Sequence, residues 1–159
     1  MTVKTGDSLP SGTLAFMGDK GPESITTDEL CQGKKVVLFA VPGAFTPTCS
    51  ESHLPGFVAN YDKIAAKGVD RVVCVSVNDP FVMGAWGKTQ NAENLLMAAD
   101  GSGVWTKALG LELDLIERGL GMRSQRYSMI VDDGRITALN VEDGPVFEVS
   151  SAEKILEQL

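Results

Sequence analysis

The chain has 159 residues, one domain's worth and long enough to bury one sizeable core. Its formal charge is −7, from 14 Lys and Arg against 21 Asp and Glu. Phosphate contacts need clustered cations, so this balance excludes nucleic acid as a partner. No apolar run approaches the roughly 18 residues that span a bilayer, which excludes a membrane-spanning role, and no repeat or low-complexity tract is present.

Met1 to Asp7 lacks the apolar stretch of a signal peptide, which points to a cytoplasmic protein. A targeting peptide already removed would leave no trace. Three cysteines, Cys31, Cys49 and Cys74, make no CxxC pair, and the chain has one histidine, so a zinc site is not expected. An odd cysteine count in a reducing compartment favours free thiols.

In chain order, Thr13 to Phe16 and Ser24 to Thr26 form an extra N-terminal segment, and a short helix ends near Cys31 ahead of Gly33. Cys31 is read there as open to solvent. Val36 to Val41 is a continuous apolar run rich in β-branched residues, the pattern of a strand buried on both faces. Leu54, Phe57, Val58, Tyr61, Ile64 and Ala65 then recur at helical spacing, and Gly68 stops that helix. Arg71 to Val77 is a second buried strand, so the unit is β-α-β with a parallel strand pair.

Asp79 and Pro80 suit the N-cap and first position of a further helix, which is predicted to turn Phe81, Val82, Ala85 and Trp86 inward. Leu95 to Ala99 reads as a short strand and Val104 to Leu109 as a short helix. Tyr127 to Val131 and Arg135 to Val141 flank the turn Asp132-Asp133-Gly134 as an antiparallel hairpin. Ser151 to Leu159 closes as an amphipathic helix. This order is that of a thioredoxin fold, α/β in class, in a single domain over 1–159. The N-terminal segment and an insertion between about Pro80 and Gly121 decorate it.

The strand ending at Val41 leads into Pro42-Gly43-Ala44-Phe45-Thr46-Pro47-Thr48-Cys49. Thr46 is a suitable N-cap and Pro47 a suitable first helical residue, which puts Cys49 in the first turn. A sulfur there lies near unpaired N–H groups and the positive end of the helix dipole, and both favour the thiolate, the nucleophilic form. Pro55 interrupts the same helix by removing a backbone bond to residue 51 and should bend or loosen it.

Through Pro42, Thr46 and Cys49, spaced PxxxTxxC, the chain resembles the peroxiredoxins. The run from Val41 to Cys49, then Ser52-His53-Leu54-Pro55-Gly56-Phe57, Ser76 to Asp79 and Arg126 to Met129, is similar to the type II (type 5) subfamily over nearly the whole length. The resemblance implies a thiol peroxidase acting on hydrogen peroxide and organic hydroperoxides. Cys49 would become a sulfenic acid, Thr46 would hydrogen-bond thiolate and peroxide, Pro42 would shield the site, and Arg126 would hold the thiolate and polarise the peroxide. It also implies a homodimer joined near the active site. No cofactor or metal is required.

Around that core the readings are plainer. Arg118, Arg123 and Arg126 make the only local cationic cluster, and Arg123 is read as a solvated loop residue. His53 is taken as a support near the pocket rather than a general base. Core packing is the default for Phe45 and Trp86. The run Gly119 to Ser124 follows no clear strand and lacks a downstream acidic partner, so it is not a dinucleotide fingerprint.

Some type II members carry a resolving cysteine where this chain has Val149, and none follows Cys74. Cys74 sits mid-strand and reads as an inert buried thiol, and nothing aims Cys31 at Cys49. An external thiol is therefore expected to recycle Cys49. Its ending resembles members served by glutathione and glutaredoxin, and the chain has no CxxC of a fused glutaredoxin. A thioredoxin-dependent two-cysteine cycle and a slow redox sensor remain open alternatives. A disulfide reductase is disfavoured because position 46 is threonine where it would need cysteine, and an inert interaction module would not require Thr46 and Arg126 beside Cys49.

Overall fold

A computed structural model of the chain describes residues 1–159. The chain opens with a hairpin, β1 (Thr13–Gly18) and β2 (Gly21–Thr26), followed by α1 (Thr27–Cys31). Thr26 caps α1 in a reciprocal capping box with Glu29. Then come β3 (Lys35–Val41), a helical stretch described below, α2 (Leu54–Ala59), α3 (Tyr61–Ala65) and β4 (Arg71–Ser76). The remaining elements are α4 (Pro80–Thr89), β5 (Leu96–Ala99), α5 (Val104–Leu109), β6 (Glu112–Leu115), β7 (Gly121–Ser124), β8 (Tyr127–Asp132), β9 (Arg135–Val141) and α6 (Ala152–Gln158).

Seven strands form one sheet in the order β2-β1-β5-β4-β3-β8-β9. β3 pairs parallel with β4 and antiparallel with β8, and β8 turns into β9 through Asp133 and Gly134, both at positive φ, as two-residue hairpins require. The block β4-β3-β8-β9 with its helices is the thioredoxin-like α/β core. The β1–β2 hairpin extends the sheet on its far side.

Successive residues of β3 point to opposite faces, and both faces are covered. Val37, Phe39 and Val41 pack with Cys49, Phe57, Ile64, Trp86 and Ile155. Val36, Leu38 and Ala40 pack with Leu14, Trp105, Leu109 and Tyr127. That is why β3 reads as an unbroken apolar run, and it places the carboxyl end of β3, where the loop to Cys49 begins, at the sheet's centre.

Three expectations are corrected. The helix expected through Leu54 and Ala65 breaks at Asn60 (φ −99°, ψ 7°), whose Nδ2 donates to the Gly56 carbonyl; local side-chain bonding of this kind competes with the helix ladder. In α4, Met83, Trp86 and Gly87 face inward, whereas Phe81 and Ala85 are exposed. A Cβ on Gly87 would stand 2.8 Å from Met97, and one on Gly84 2.6 Å from Met17, so the glycine face lies tight on the sheet and Phe81 is left outside. Finally, Glu112–Leu115 and Gly121–Ser124 pair as a separate two-stranded sheet, so the run from Gly119 to Ser124 is largely strand.

Candidate active site

Beyond Val41 the chain turns through Pro42 to Thr46 and enters a helix at Pro47. A Cβ on Gly43 would lie 2.8 Å from Arg123 Nη1 and 3.1 Å from Thr46 Cγ2, so a side chain here would push the end of Arg123 aside. Phe45 takes a left-handed φ of 64°, a conformation costing on the order of 1 kcal/mol or more for a residue with a side chain. The Ala44 N–H donates to Asn78 Oδ1, which also accepts from Ser76 Oγ, so the end of β4 anchors this loop.

Thr46 holds the N-cap position, its carbonyl accepting from the Ser50 N–H at 3.0 Å. Its hydroxyl, however, donates to the Gly43 carbonyl at 2.7 Å and caps no helical N–H. The following turn is not α-helical. Cys49–His53 is a π-helical turn in which the Leu54 N–H reaches the Cys49 carbonyl. In an α register the ring of Pro55 would meet the carbonyl of residue 51, and the wider turn relieves that clash. The loosening expected from Pro55 thus takes a definite form, a π-bulge beginning at the cysteine, a device common at functional sites.

Cys49 is fully buried, and its Sγ accepts from Arg126 Nη2 at 3.0 Å. Arg126 stands immediately before β8, 8% exposed, and its Nη1 meets His53 Nδ1 at 2.9 Å. A guanidinium only donates, so Nδ1 accepts, and the proton sits on Nε2, which donates to the Ser150 carbonyl at 2.9 Å. His53 is buried among Phe39, Phe57 and Phe147. Burial first, then the Arg126 charge, lowers its pKa from 6.5 to about 3, so the ring is neutral across the physiological range. The sequence placed His53 only as a support near the pocket; its contact is with Arg126, and a ring held neutral with both nitrogens engaged is not set up as a base.

The next link is Glu142, which sequence reasoning passed over. Its carboxylate accepts from the backbone N–H groups of Glu148, Val149 and Ser150 and from the Ser150 hydroxyl. Burial disfavours the charge, but these donors outweigh it and hold the pKa below the ordinary 4.5. Glu142 thereby pins the loop that presents the Ser150 carbonyl to His53 and carries Phe147, whose ring lies 5.9 Å from the Arg126 guanidinium carbon. One chain of contacts runs from Glu142 through Ser150, His53 and Arg126 to Cys49. A lone acid after a strand carries no local signature, so only the fold reveals it.

Arg123 is no solvated loop residue. It lies on β7, half-buried, donating Nε to the Leu120 carbonyl and Nη1 to that of Pro42. Trp86 is core and donates to Ser50 Oγ at 3.0 Å, whereas Phe45 is 56% exposed. A groove of ≈ 490 Å³ opens beside the site, lined by Pro42, Thr46 and Arg126 together with Leu113, Leu115 and Leu120. The fold thus brings Pro42, Thr46, Cys49 and Arg126 together. A second groove, ≈ 640 Å³ between α4 and the β1–β5 edge, contains none of them.

The other thiols are remote from this chemistry. Cys74 is fully buried on β4, and desolvation raises its pKa well above 9.0. Cys31, expected at the surface, is 2% exposed, with its pKa pushed up to about 11 chiefly by burial. It closes α1 facing the apolar layer beneath β3 rather than solvent. All three cysteines are free. No helix is long and apolar enough to cross a membrane, and no three His, Cys, Asp or Glu side chains gather as a metal cluster.

Comparison with known proteins gives one consistent picture. The Redoxin family profile matches residues 4–156. The chain is 50% identical to Peroxiredoxin-2D of Arabidopsis thaliana over 159 residues, covering 99% of this chain and 98% of that one. It is 51% identical to Peroxiredoxin-2C of Oryza sativa subsp. japonica over the same span, with the same coverage. Among solved structures, reduced Prx3 of Vibrio vulnificus in complex with H2O2 superposes with a TM-score of 0.96 at 56% identity, covering 99% of each chain.

Proposed function

Since the chain belongs to the Redoxin family, as a type II peroxiredoxin and hence a thiol peroxidase, we propose that Cys49 is its peroxide-reducing thiol, assisted by Arg126, Thr46 and Pro42. The observation that carries this is the 3.0 Å contact from Arg126 Nη2 to Cys49 Sγ. Arg126 is nearly buried and forms no ion pair with any carboxylate. A buried cation without a counter-charge is costly, and a thiolate at Cys49 supplies one.

The thiolate attacks one oxygen of the peroxide. The S–O bond forms as the O–O bond breaks, and the leaving oxygen takes a proton and departs as water or an alcohol. Arg126 stabilises the negative charge as it moves from sulfur to the leaving oxygen. For Thr46 to donate to the peroxide its hydroxyl must turn from the Gly43 carbonyl, a rotation about one bond. Pro42 lines the groove and limits water at the sulfur. The substrates are hydrogen peroxide, with which the Vibrio vulnificus relative is in complex, and organic hydroperoxides, which the leucine-lined groove has room for.

The sulfenic acid is then recycled by an external thiol: glutathione attacks Cys49, water leaves, and glutaredoxin removes the glutathione. Burial of Cys31 and Cys74, and valine at position 149 on the surface of the pinned loop, support this over an internal disulfide. A cytoplasmic setting agrees with three free thiols. A homodimer is proposed near the active site, where Phe45 leaves apolar surface exposed on the loop leading to Cys49. Peroxide consumption measured with glutathione plus glutaredoxin, beside a reaction with thioredoxin, tests the reading. Turnover only with thioredoxin would overturn the choice of reductant, and turnover in Cys49→Ser would overturn the site.

A further inference from the structure

Of the cationic cluster Arg118, Arg123 and Arg126, Arg118 and Arg126 line the groove, and the three are unequally committed. Arg126 is spent on His53 and Cys49, and Arg123 on the carbonyls of Leu120 and Pro42. Arg118, in the short turn between β6 and β7, makes no hydrogen bond or ion pair, and it lines the same groove. Arg118 is exposed at the groove's rim, so its charge is free to meet an anion that enters there. The one carboxylate that also lines the groove, Glu142, is already saturated by the donors of its own loop.

The groove is also too large for the smallest substrate. At ≈ 490 Å³ it far exceeds hydrogen peroxide, whose bulk is that of one or two waters of about 30 Å³ each. Its apolar lining, Leu113, Leu115 and Leu120, comes from the small β6–β7 sheet and the turn within it. Apolar wall and open cation share one cleft with Arg126, which touches the buried Cys49 sulfur, an arrangement complementary to a molecule with an apolar stem, an anionic end and a reactive O–O group.

We infer that Arg118 binds the carboxylate of an amphipathic alkyl hydroperoxide, such as a fatty-acid hydroperoxide, whose stem lies along Leu113, Leu115 and Leu120 while its O–O group reaches Cys49. This rests on the reading of Cys49 as the peroxide-reducing thiol. The step balances as before: S–O forms, O–O breaks, and the fatty hydroxy acid departs after its oxygen is protonated. Guanidinium suits carboxylate because its planar N–H fork matches two oxygens.

The test follows oxidation of Cys49 alone, with no thiol reductant present, by stopped-flow tryptophan fluorescence. A fatty-acid hydroperoxide is compared with its own methyl ester, below the micellar concentration. The acid-to-ester rate ratio is taken within each variant, so any general loss of rate cancels. Wild type is expected to favour the acid by about three- to fivefold at low salt, the scale of a solvent-accessible ion pair, and less at high salt. Arg118→Ala should bring the ratio to one, Arg118→Lys should keep part of it, and Arg118→Glu should invert it. Equal acid and ester rates in wild type, or a preference surviving in Arg118→Ala, would overturn the inference. So would a defect in Arg118→Ala that emerges only when glutathione is added in a second mixing to the already oxidised protein, since the anion bound would then be the reductant's. Failure of wild type to react with hydrogen peroxide in the same instrument would instead sink the reading of Cys49 itself.

Discussion

Cys49 and Cys74 have the same accessibility and opposite surroundings. Both thiols are fully buried and pack in the same apolar layer. Cys74 sits in regular β4, paired between Phe39 and Met97 on the neighbouring strands, where nothing offers a charge-assisted hydrogen bond and the backbone is fixed by the ladders on either side. Cys49 begins a π-helical turn, accepts from a guanidinium and adjoins a solvent-open groove. If Cys49 is the peroxide-reducing thiol, as proposed, burial does not separate it from the inert one. A positioned cation and an irregular backbone do.

The largest effect that would break this contrast is at Cys49 itself. Cys49→Ser is expected to leave the circular dichroism spectrum and Tm nearly unchanged while peroxide consumption falls to the uncatalysed rate, because a serine hydroxyl does not ionise near neutral pH. Residual turnover above a few per cent would place the nucleophile elsewhere.

Arg126→Ala comes next. It removes the donor that meets both the sulfur and the charge developing on the leaving oxygen, and losing one such donor costs roughly 10²–10³ in rate. Arg123→Ala should cost far less, since Arg123 braces the Pro42 carbonyl without touching sulfur. Stopped-flow rates of hydrogen peroxide with the two variants decide the ranking. Comparable losses would mean that the braced loop, rather than the guanidinium at sulfur, sets reactivity.

A smaller effect sharpens how Arg126 is held. Glu142→Gln keeps the side chain's shape but gives up a charge that satisfies donors from three consecutive residues, so the Ser150 carbonyl and His53 lose their anchor. The expected result is roughly tenfold slower oxidation of Cys49 together with faster proteolysis between Asp143 and Ser150. Slower oxidation with an unchanged loop, or the reverse, would uncouple the two ends of the chain of contacts. The same network makes stability depend on acid. His53 binds its proton near pH 6.5 when unfolded but only near 3 when native, so between those values the unfolded chain carries the extra proton. Stability is full above about pH 6.5 and falls as the pH drops toward 3, by up to about 1.4 kcal/mol per pH unit. His53→Gln should flatten that profile in urea titrations run from pH 7 to 4.

These residues also mark what the sequence could and could not reveal. The central strands were legible because burial on both faces leaves apolar runs at Val36 to Val41 and Arg71 to Val77, and Arg126 was legible through its resemblance to a known motif. The sheet of β6 and β7 was not: its strands are four residues long and alternate in exposure, with the charges of Glu112, Asp114 and Arg123 among them. Nor was the brace on Arg126. His53 and Arg126 are 73 residues apart, and His53 and Ser150 are 97 apart, so their meeting is a property of the sheet's order rather than of any local spacing. The burial of Cys31 was hidden too, because a helix end is normally wet, whereas this one abuts Leu14, Leu30 and Trp105 in the second apolar layer.

The smallest expected effect bears on the contrast from the inert side. If burial in regular structure silences a thiol, the double variant Cys31→Ala, Cys74→Ala should keep most of its glutathione-dependent turnover. Alanine is preferred to serine because a hydroxyl in either position would have no partner in an apolar layer and would cost about 1–3 kcal/mol for reasons unrelated to redox chemistry. Some loss of Tm is expected from the removed sulfur volume, since core truncations leave space that the surroundings fill only in part. Turnover, by contrast, depends on a sulfur that a second thiol can reach, and exchange needs an accessible disulfide and a good leaving thiolate. Cys74 meets neither condition inside its ladder, and Cys31, with its pKa pushed up to about 11, is a poor thiolate at neutral pH. Opening of the π-helical turn would bring Cys49 to the groove without disturbing the sheet. Intact mass after peroxide and glutathione should therefore show a single glutathione adduct, carried on the peptide containing Cys49. A disulfide from Cys49 to Cys31 or Cys74, with turnover lost in the double variant, would show that a buried strand thiol takes part after all, and thioredoxin would then be the better candidate for the reductant.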